Sequence, residues 1–392
     1  MFPKPHISQD SFFHETTPSP APAATTHPPQ PPITIYFICG NPGLISYYHS
    51  FLSLLSDRLC AASRRKFHVV GHSLAGFELA SGPGPGGPAR KKHEHEHEHG
   101  KAKAKAKEQY AYYYDLEEQI RFVREKLAVH MAGLRREYSA SASASASLSS
   151  VPGTVDQMPQ VILMGHSVGS YIAMEVLRRY REDSDTTTTT AAAAAAAAAA
   201  SGIQKTGFDI IGGVMLFPTV LDIAKSPSGR KLTFLLRLIP QLAIVVAFVA
   251  RVLTLVFPDC ALRTLIRWFM KSPPEEAVTA TASFLKSKYG VREALHMAAD
   301  EMRTITSDKW SDDVWGVSTV KEPMTRLFFY FGRNDHWVAE RTKEEILELR
   351  GRTQTGPKMV VCEDSLPHAF CLRHSDIMSR KVADMITAIV AE

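Results

Sequence analysis

The apolar residues of this chain fall into two kinds of pattern. Ile33 to Cys39, Phe67 to Val70, Val161 to Met164, Ile210 to Phe217, Arg326 to Phe331 and Lys358 to Cys362 are short runs rich in β-branched or aromatic side chains. Such runs predict strands buried on both faces. Between them the spacing becomes helical. Leu44 to Leu59 carries one helical pattern, and Leu116, Ile120, Val123 and Leu127 repeat at helical spacing with charges between them. The run after Met164 restarts as a helix through Arg179, and Asp376 to Val390 closes the chain as an amphipathic helix. Strands alternating with helices predict a mostly parallel sheet with helices on both faces.

Low-complexity stretches interrupt this order. Met1 to Pro32 is rich in proline, serine and threonine and lacks the apolar stretch of a secretory signal, so residues 1–32 read as a disordered tail. Residues 81–108 pass from a Pro/Gly run through alternating His-Glu (His93 to His99) to alternating Lys-Ala. Histidines in plain alternation define no coordination geometry, so a solvated insertion is expected and no metal. Residues 139–155 begin with the Ser-Ala repeat Ser139–Ser147, read as a linker, and residues 184–202 hold the threonine and alanine tracts Thr186 to Ala200, read as an insertion loop.

From Val220 to Thr319 the pattern changes again. Leu232 to Met270 is apolar on nearly all sides, and Leu242 to Ala250 has no polar break. Pro240, Arg251 and Pro258 interrupt it, so it falls short of the roughly 18 unbroken apolar residues of a membrane span. A helical hairpin lying in a lipid surface is expected over about 230–271, with Arg230, Lys231, Arg237, Arg251, Arg263, Arg267 and Lys271 at head-group level. The alternative is a buried pair of cap helices. Glu275 to Trp315 reads as helical and more polar, completing a cap over 220–319.

Composition narrows the class. The chain is 45% hydrophobic and 22% charged, an ordinary globular balance, and its formal charge of +5 comes partly from the lysine run, so no nucleic-acid partner is expected. The five cysteines (Cys39, Cys60, Cys260, Cys362 and Cys371) are odd in number and contain no C-x-x-C pair, which fits a reducing, cytosolic setting.

One junction carries chemistry. The strand Val161–Met164 stops at Gly165-His166-Ser167-Val168-Gly169 and a helix begins at once. Strand, G-x-S-x-G, helix is the nucleophile elbow of the α/β-hydrolases. The serine sits on a strained turn, so Gly165 and Gly169 must lack a Cβ for strand and helix to approach. Gly71-His72-Ser73-Leu74-Ala75-Gly76 resembles it, but Ala75 stands where glycine is needed and a Pro/Gly run follows, so Ser73 is set aside.

A serine hydroxyl needs a base, and the base an acid to orient it. In this fold the order is Ser, acid, His, each just past a strand. Ser167, Asp335 after Arg326–Phe331, and His368 after Lys358–Cys362 meet that order. Asp364, His336 and His374 are the rivals. The turn Gly40-Asn41-Pro42-Gly43 follows the first strand, where one oxyanion N–H belongs; proline has none, so Asn41 is favoured, with Val168 as the second donor.

Gly40-Asn41-Pro42-Gly43, Gly165-His166-Ser167-Val168-Gly169-Ser170-Tyr171-Ile172, Leu216-Phe217-Pro218-Thr219 with Ser226-Pro227-Ser228-Gly229, and Leu366-Pro367-His368-Ala369-Phe370 together resemble the lipid droplet-associated hydrolase family over most of 33–390. The resemblance implies an α/β-hydrolase fold, a place on lipid droplets and the cytosolic face of the endoplasmic reticulum, and turnover of sterol esters or other neutral lipids. The expected organisation is a core of 33–219 and 320–392 with the cap 220–319 between them. The expected activity is serine ester hydrolysis without metal or cofactor. The alternatives are a non-enzymatic droplet protein and a soluble esterase or thioesterase.

Overall fold

The computed structural model describes residues 6–16, 30–79, 113–146, 158–188, 207–317, 325–351 and 356–391. Its sheet has eight strands: β1 (His6–Ile7), β2 (Ser11–Glu15), β3 (Ile33–Ile38), β4 (Phe67–His72), β5 (Gln160–His166), β6 (Asp209–Leu216), β7 (Arg326–Phe331) and β8 (Lys358–Val361), in the order β1-β2-β4-β3-β5-β6-β7-β8. β3 to β8 are mutually parallel, and β1 and β2 add antiparallel pairings at one edge. All six β-rich runs of the sequence are strands of the sheet. This is the α/β-hydrolase fold.

The first two strands correct the reading of 1–32 as a tail. Ser11–Glu15 pairs with β4, and Phe12 and Phe13 are buried. Two adjacent phenylalanines lie too close to the prolines to show periodicity, yet one edge strand needs only such a pair to anchor it. Residues 17–29 lie outside the described set, as do 80–112, which include the His-Glu and Lys-Ala runs.

Helices cover both faces. α1 (His49–Ala62) packs on the closing helix Ser375–Ala391 on one side, and α2 (Leu116–Ala146) packs on α3 (Val168–Thr188) on the other. α2 runs through most of the Ser-Ala repeat that the sequence suggested as a linker, and α3 runs into the threonine tract. In both, the helix already formed propagates into residues that do not oppose it; the rest of both tracts lies outside the described residues.

The strand order sets where the site lies. From β3 the chain moves outward to β4, then crosses back over β3 to β5 and continues the other way. The loops leaving the carboxyl ends of β3 and β5 therefore diverge, and ligands of open α/β sheets bind in that crevice. Gly40-Asn41 leaves β3 there, and Ser167 leaves β5.

Five helices of the cap follow β6: α4 (Pro227–Leu238), α5 (Leu242–Val256), α6 (Asp259–Phe269), α7 (Glu275–Lys286) and α8 (Gly290–Thr304). Ser226 caps α4 by accepting the Gly229 N–H at 2.9 Å, with Pro227 in the first turn, where its missing N–H does no harm. α4 and α5 bend by 94° at a break that contains Pro240. No described helix is by itself long and apolar enough to cross a membrane; the bent pair has the length and composition together. α5 packs on α7 and α8, with Leu242 and Ala250 buried. Most of the rest of it, and much of α4 and α6, faces outward: Phe234, Leu238, Phe248, Leu255, Val256, Trp268 and Phe269 are exposed.

Candidate active site

The elbow is built on steric necessity. Ser167 has φ 56°, in the left-handed region that L-residues other than glycine, asparagine and aspartate rarely enter. A Cβ on Gly165 would lie 2.3 Å from the Gly169 carbonyl oxygen, and one on Gly169 would lie 2.3 Å from the Ile38 carbonyl oxygen. Strand, helix and β3 thus meet at two points that admit no side chain. The turn is held by the Ser167 N–H, which donates to the Leu216 carbonyl at 2.9 Å.

The structure brings Ser167, His368 and Asp335 together from three loops. Ser167 Oγ lies 2.9 Å from His368 Nε2, and His368 Nδ1 lies 2.7 Å from Asp335 Oδ2. Both distances are within the reach that proton transfer requires. Asp335 Oδ1 also accepts the Trp337 N–H at 2.9 Å. Burial opposes the charge on Asp335, but the hydrogen bonds and charge of His368 and the Trp337 N–H outweigh it and hold the carboxyl below its usual range.

The rivals are engaged elsewhere. Ser73 is buried, with the Ile45 N–H at 3.2 Å and Asp10 Oδ1 at 3.4 Å from its Oγ, and the described residues directly after it, 74–79, form no helix. His336 Nδ1 sits 2.8 Å from Ser228 Oγ, so it ties the acid loop to the start of α4. Asp364 pairs with Lys381 at 2.8 Å. His374 stands just before the closing helix, its backbone carbonyl accepting the Met378 N–H at 3.0 Å, whereas the imidazole that meets Ser167 is that of His368.

The two backbone donors named from sequence flank the serine loop. Val168 is the first residue of α3, so its N–H has no acceptor from a preceding helical turn. The Asn41 N–H has no hydrogen-bond partner among the described residues. A Cβ on the adjoining Gly40 would stand 3.0 Å from Ser167 Cβ, so this loop presses directly on the elbow.

Sequence reasoning treated His166 as one of the variable positions of the motif. The structure makes it a strut. His166 Nε2 lies 2.9 Å from the His368 carbonyl oxygen, and Nδ1 lies 2.8 Å from Tyr48 Oη, which accepts the Gly40 N–H at 3.2 Å. Burial pushes the His166 imidazole down to about 3, with the adjacent His368 adding to the shift, so the ring is neutral near pH 7. A carbonyl only accepts, so the proton is on Nε2, and Nδ1 accepts from Tyr48. Each proton has one destination, and the chain of bonds joins the Gly40 loop to the histidine loop.

Phe217 is the other residue whose role was not legible. It holds φ 47° and stacks on Phe370, and its ring makes T-shaped contacts with His166 and His368. The Leu-Phe-Pro-Thr motif signalled it without saying what it packs against. No group of histidine, cysteine and acidic residues able to hold a metal occurs among the described residues.

The sequence profile of the family described as lipid-droplet associated hydrolase matches residues 31–371. The lipid droplet-associated hydrolase of Homo sapiens is 24% identical over 357 residues, covering 91% of this chain and 85% of that one. The protein of the same name from Gallus gallus is 25% identical over 231 residues, and the match spans 58% of either chain. Among solved structures, a thermophilic esterase from Thermogutta terrifontis aligns at a TM-score of 0.43 and 12% identity over 97% of this chain and 93% of its own. A haloalkane dehalogenase from Bradyrhizobium elkani aligns at a TM-score of 0.45 and 11% identity over 98% and 96%. The profile match takes in every element from the first parallel strand to the histidine loop, and this chain belongs to the lipid-droplet associated hydrolase family.

Proposed function

We propose that this protein is a serine ester hydrolase that acts on a lipid ester, such as a sterol ester or another neutral lipid, at the surface of a lipid droplet or the cytosolic face of the endoplasmic reticulum. The observation that carries the reading is the unbroken line from Ser167 Oγ through His368 to the buried Asp335 carboxylate. His368 Nε2 takes the serine proton as Oγ attacks the ester carbonyl, and a tetrahedral intermediate forms. Asp335 fixes the ring so that Nε2 faces the serine, and stabilises the imidazolium. The Val168 and Asn41 N–H groups receive the oxyanion, each such donor commonly being worth about 3–4 kcal/mol. His368 then returns the proton to the leaving alcohol, and a water activated in the same way releases the acid.

The exposed cap supports the surface. Each large aliphatic or aromatic side chain moved from water into lipid gains roughly 1.5–3 kcal/mol, so a handful suffices for attachment. Exposed Arg230, Lys231, Arg237, Arg251 and Lys271 lie among these residues at positions suited to head groups, whereas Arg263 and Arg267 are paired with Glu275. The names of the relatives place those proteins on lipid droplets, in line with this reading.

The test is labelling by a fluorophosphonate probe together with hydrolysis of a panel of lipid classes. Wild-type protein should label and Ser167→Ala should not, while Ser73→Ala should label normally. Labelling that persists in Ser167→Ala sinks the assignment, and a wild-type protein that never labels favours the non-enzymatic droplet role.

A further inference from the structure

Asn41 does more than offer a backbone N–H. Its side-chain amide donates both protons to the same cap helix: Nδ2 lies 2.9 Å from the Ala294 carbonyl oxygen and 2.9 Å from Glu301 Oε1, both on α8. Glu301 is buried at 4% exposure. A leucine there would fill the space without desolvating a carboxyl group, so packing alone does not call for glutamate. What glutamate adds is an acceptor aimed at the loop that presses on Ser167. An oxyanion donor works only within a few tenths of an ångström of its position, so whatever holds that loop bears on the rate.

We propose that Glu301 is a positioning residue for the oxyanion hole: through the Asn41 amide, cap helix α8 grips the loop after β3 and holds its backbone beside Ser167. The inference rests on the serine-hydrolase reading above. α8 also carries α5 on its surface, so the cap and the oxyanion loop form one mechanical unit. Burial pushes the Glu301 carboxyl up to about 8, with Asp300 adding to the rise and the Asn41 bond opposing it, so it is neutral at pH 7 and glutamine is a close mimic.

Kinetics on a soluble p-nitrophenyl ester of short chain keep lipid binding out of the measurement, and the rate of Ser167 phosphonylation supplies a second readout. Glu301→Gln keeps the acceptor and should stay within about threefold of wild type. Glu301→Leu and Asn41→Ala should each lower kcat about 10- to 100-fold with little change in KM, because a misplaced donor costs the transition state and not the bound ester. The double variant should be no worse than either single one, since both cut the same link. Wild-type kcat in Glu301→Leu, additive losses in the double variant, or a Glu301→Gln as damaged as Glu301→Leu would each overturn the proposal. If Glu301→Leu fails to fold, Asn41→Ala decides alone: a kcat loss at constant KM supports the grip, and wild-type kcat ends it. A wild-type protein that does not label at Ser167 overturns the hydrolase reading and this inference with it; a labelled wild type matched by its variants overturns only the grip.

Discussion

β7 and cap helix α5 are among the most apolar segments of the protein, and they use their side chains in opposite ways. In β7 every residue from Leu327 to Phe331 is buried, with Phe329 packed against Trp315. In α5 only Leu242 and Ala250 are buried, while Ile244, Val245, Phe248 and Val249 face outward. Equal hydrophobicity therefore carries different consequences: in the sheet it stabilises the fold, and in the cap it remains available to another phase. An exposed apolar face of this breadth on a folded chain marks an interaction surface.

Three experiments bear on that contrast, and the first has the largest effect. On the proposed mechanism the chemistry belongs to the sheet, so His368→Ala should cut ester hydrolysis by about 10³-fold or more, whereas His374→Ala should cost little. Equal losses from the two would leave the base unassigned.

The second sets core against cap in thermodynamic terms. Phe329→Ala should lower unfolding stability by about 3–5 kcal/mol, while Phe248→Ala should change it by no more than about 0.5 kcal/mol. Asp at both Val246 and Phe248 should move the protein from floating droplets to the soluble fraction and leave Ser167 labelling intact. If that variant unfolds, α5 is core after all; if it still floats, the anchor lies elsewhere.

The third and smallest effect is in pH. Burial pushes His68 and His166 down to about 3, and His72 and His130 down to about 4, from 6.5. The unfolded chain binds protons at these sites first, so their contribution is complete above pH 6.5 and is lost as pH falls toward the folded values. Three of the four lie on strands of the sheet, so melting temperature should decline between pH 6.5 and 4. In the cap the sign reverses. Glu301 rises from 4.5 to about 8, so the folded state holds the proton more tightly; its contribution is complete below pH 4.5 and is lost as pH rises to about 8. Amide protection factors in α8, with the intrinsic base catalysis of exchange divided out, should therefore fall toward pH 9 in the wild type and not in Glu301→Gln. Protection in α8 that is independent of pH would show that the carboxyl is not buried as described.

The sequence alone determined the strands β3 to β8, the elbow and the three residues of its hydroxyl–imidazole–carboxylate line, because each depends on local rules: apolar runs for buried strands, two glycines for a close approach, and a fixed order of loops. It left β2 hidden, since Phe12 and Phe13 read as strand only once β4 lies beside them. It left open whether the cap's apolar run was core or surface, because composition does not say which face finds a partner. Only the tertiary structure decided the bonds that cross the chain. Asn41 meets Glu301 across 260 positions and Tyr48 meets His166 across 118. Neither pair has a signature in spacing or composition, because a single hydrogen bond between distant segments is specified by how whole layers pack and not by any run of residues.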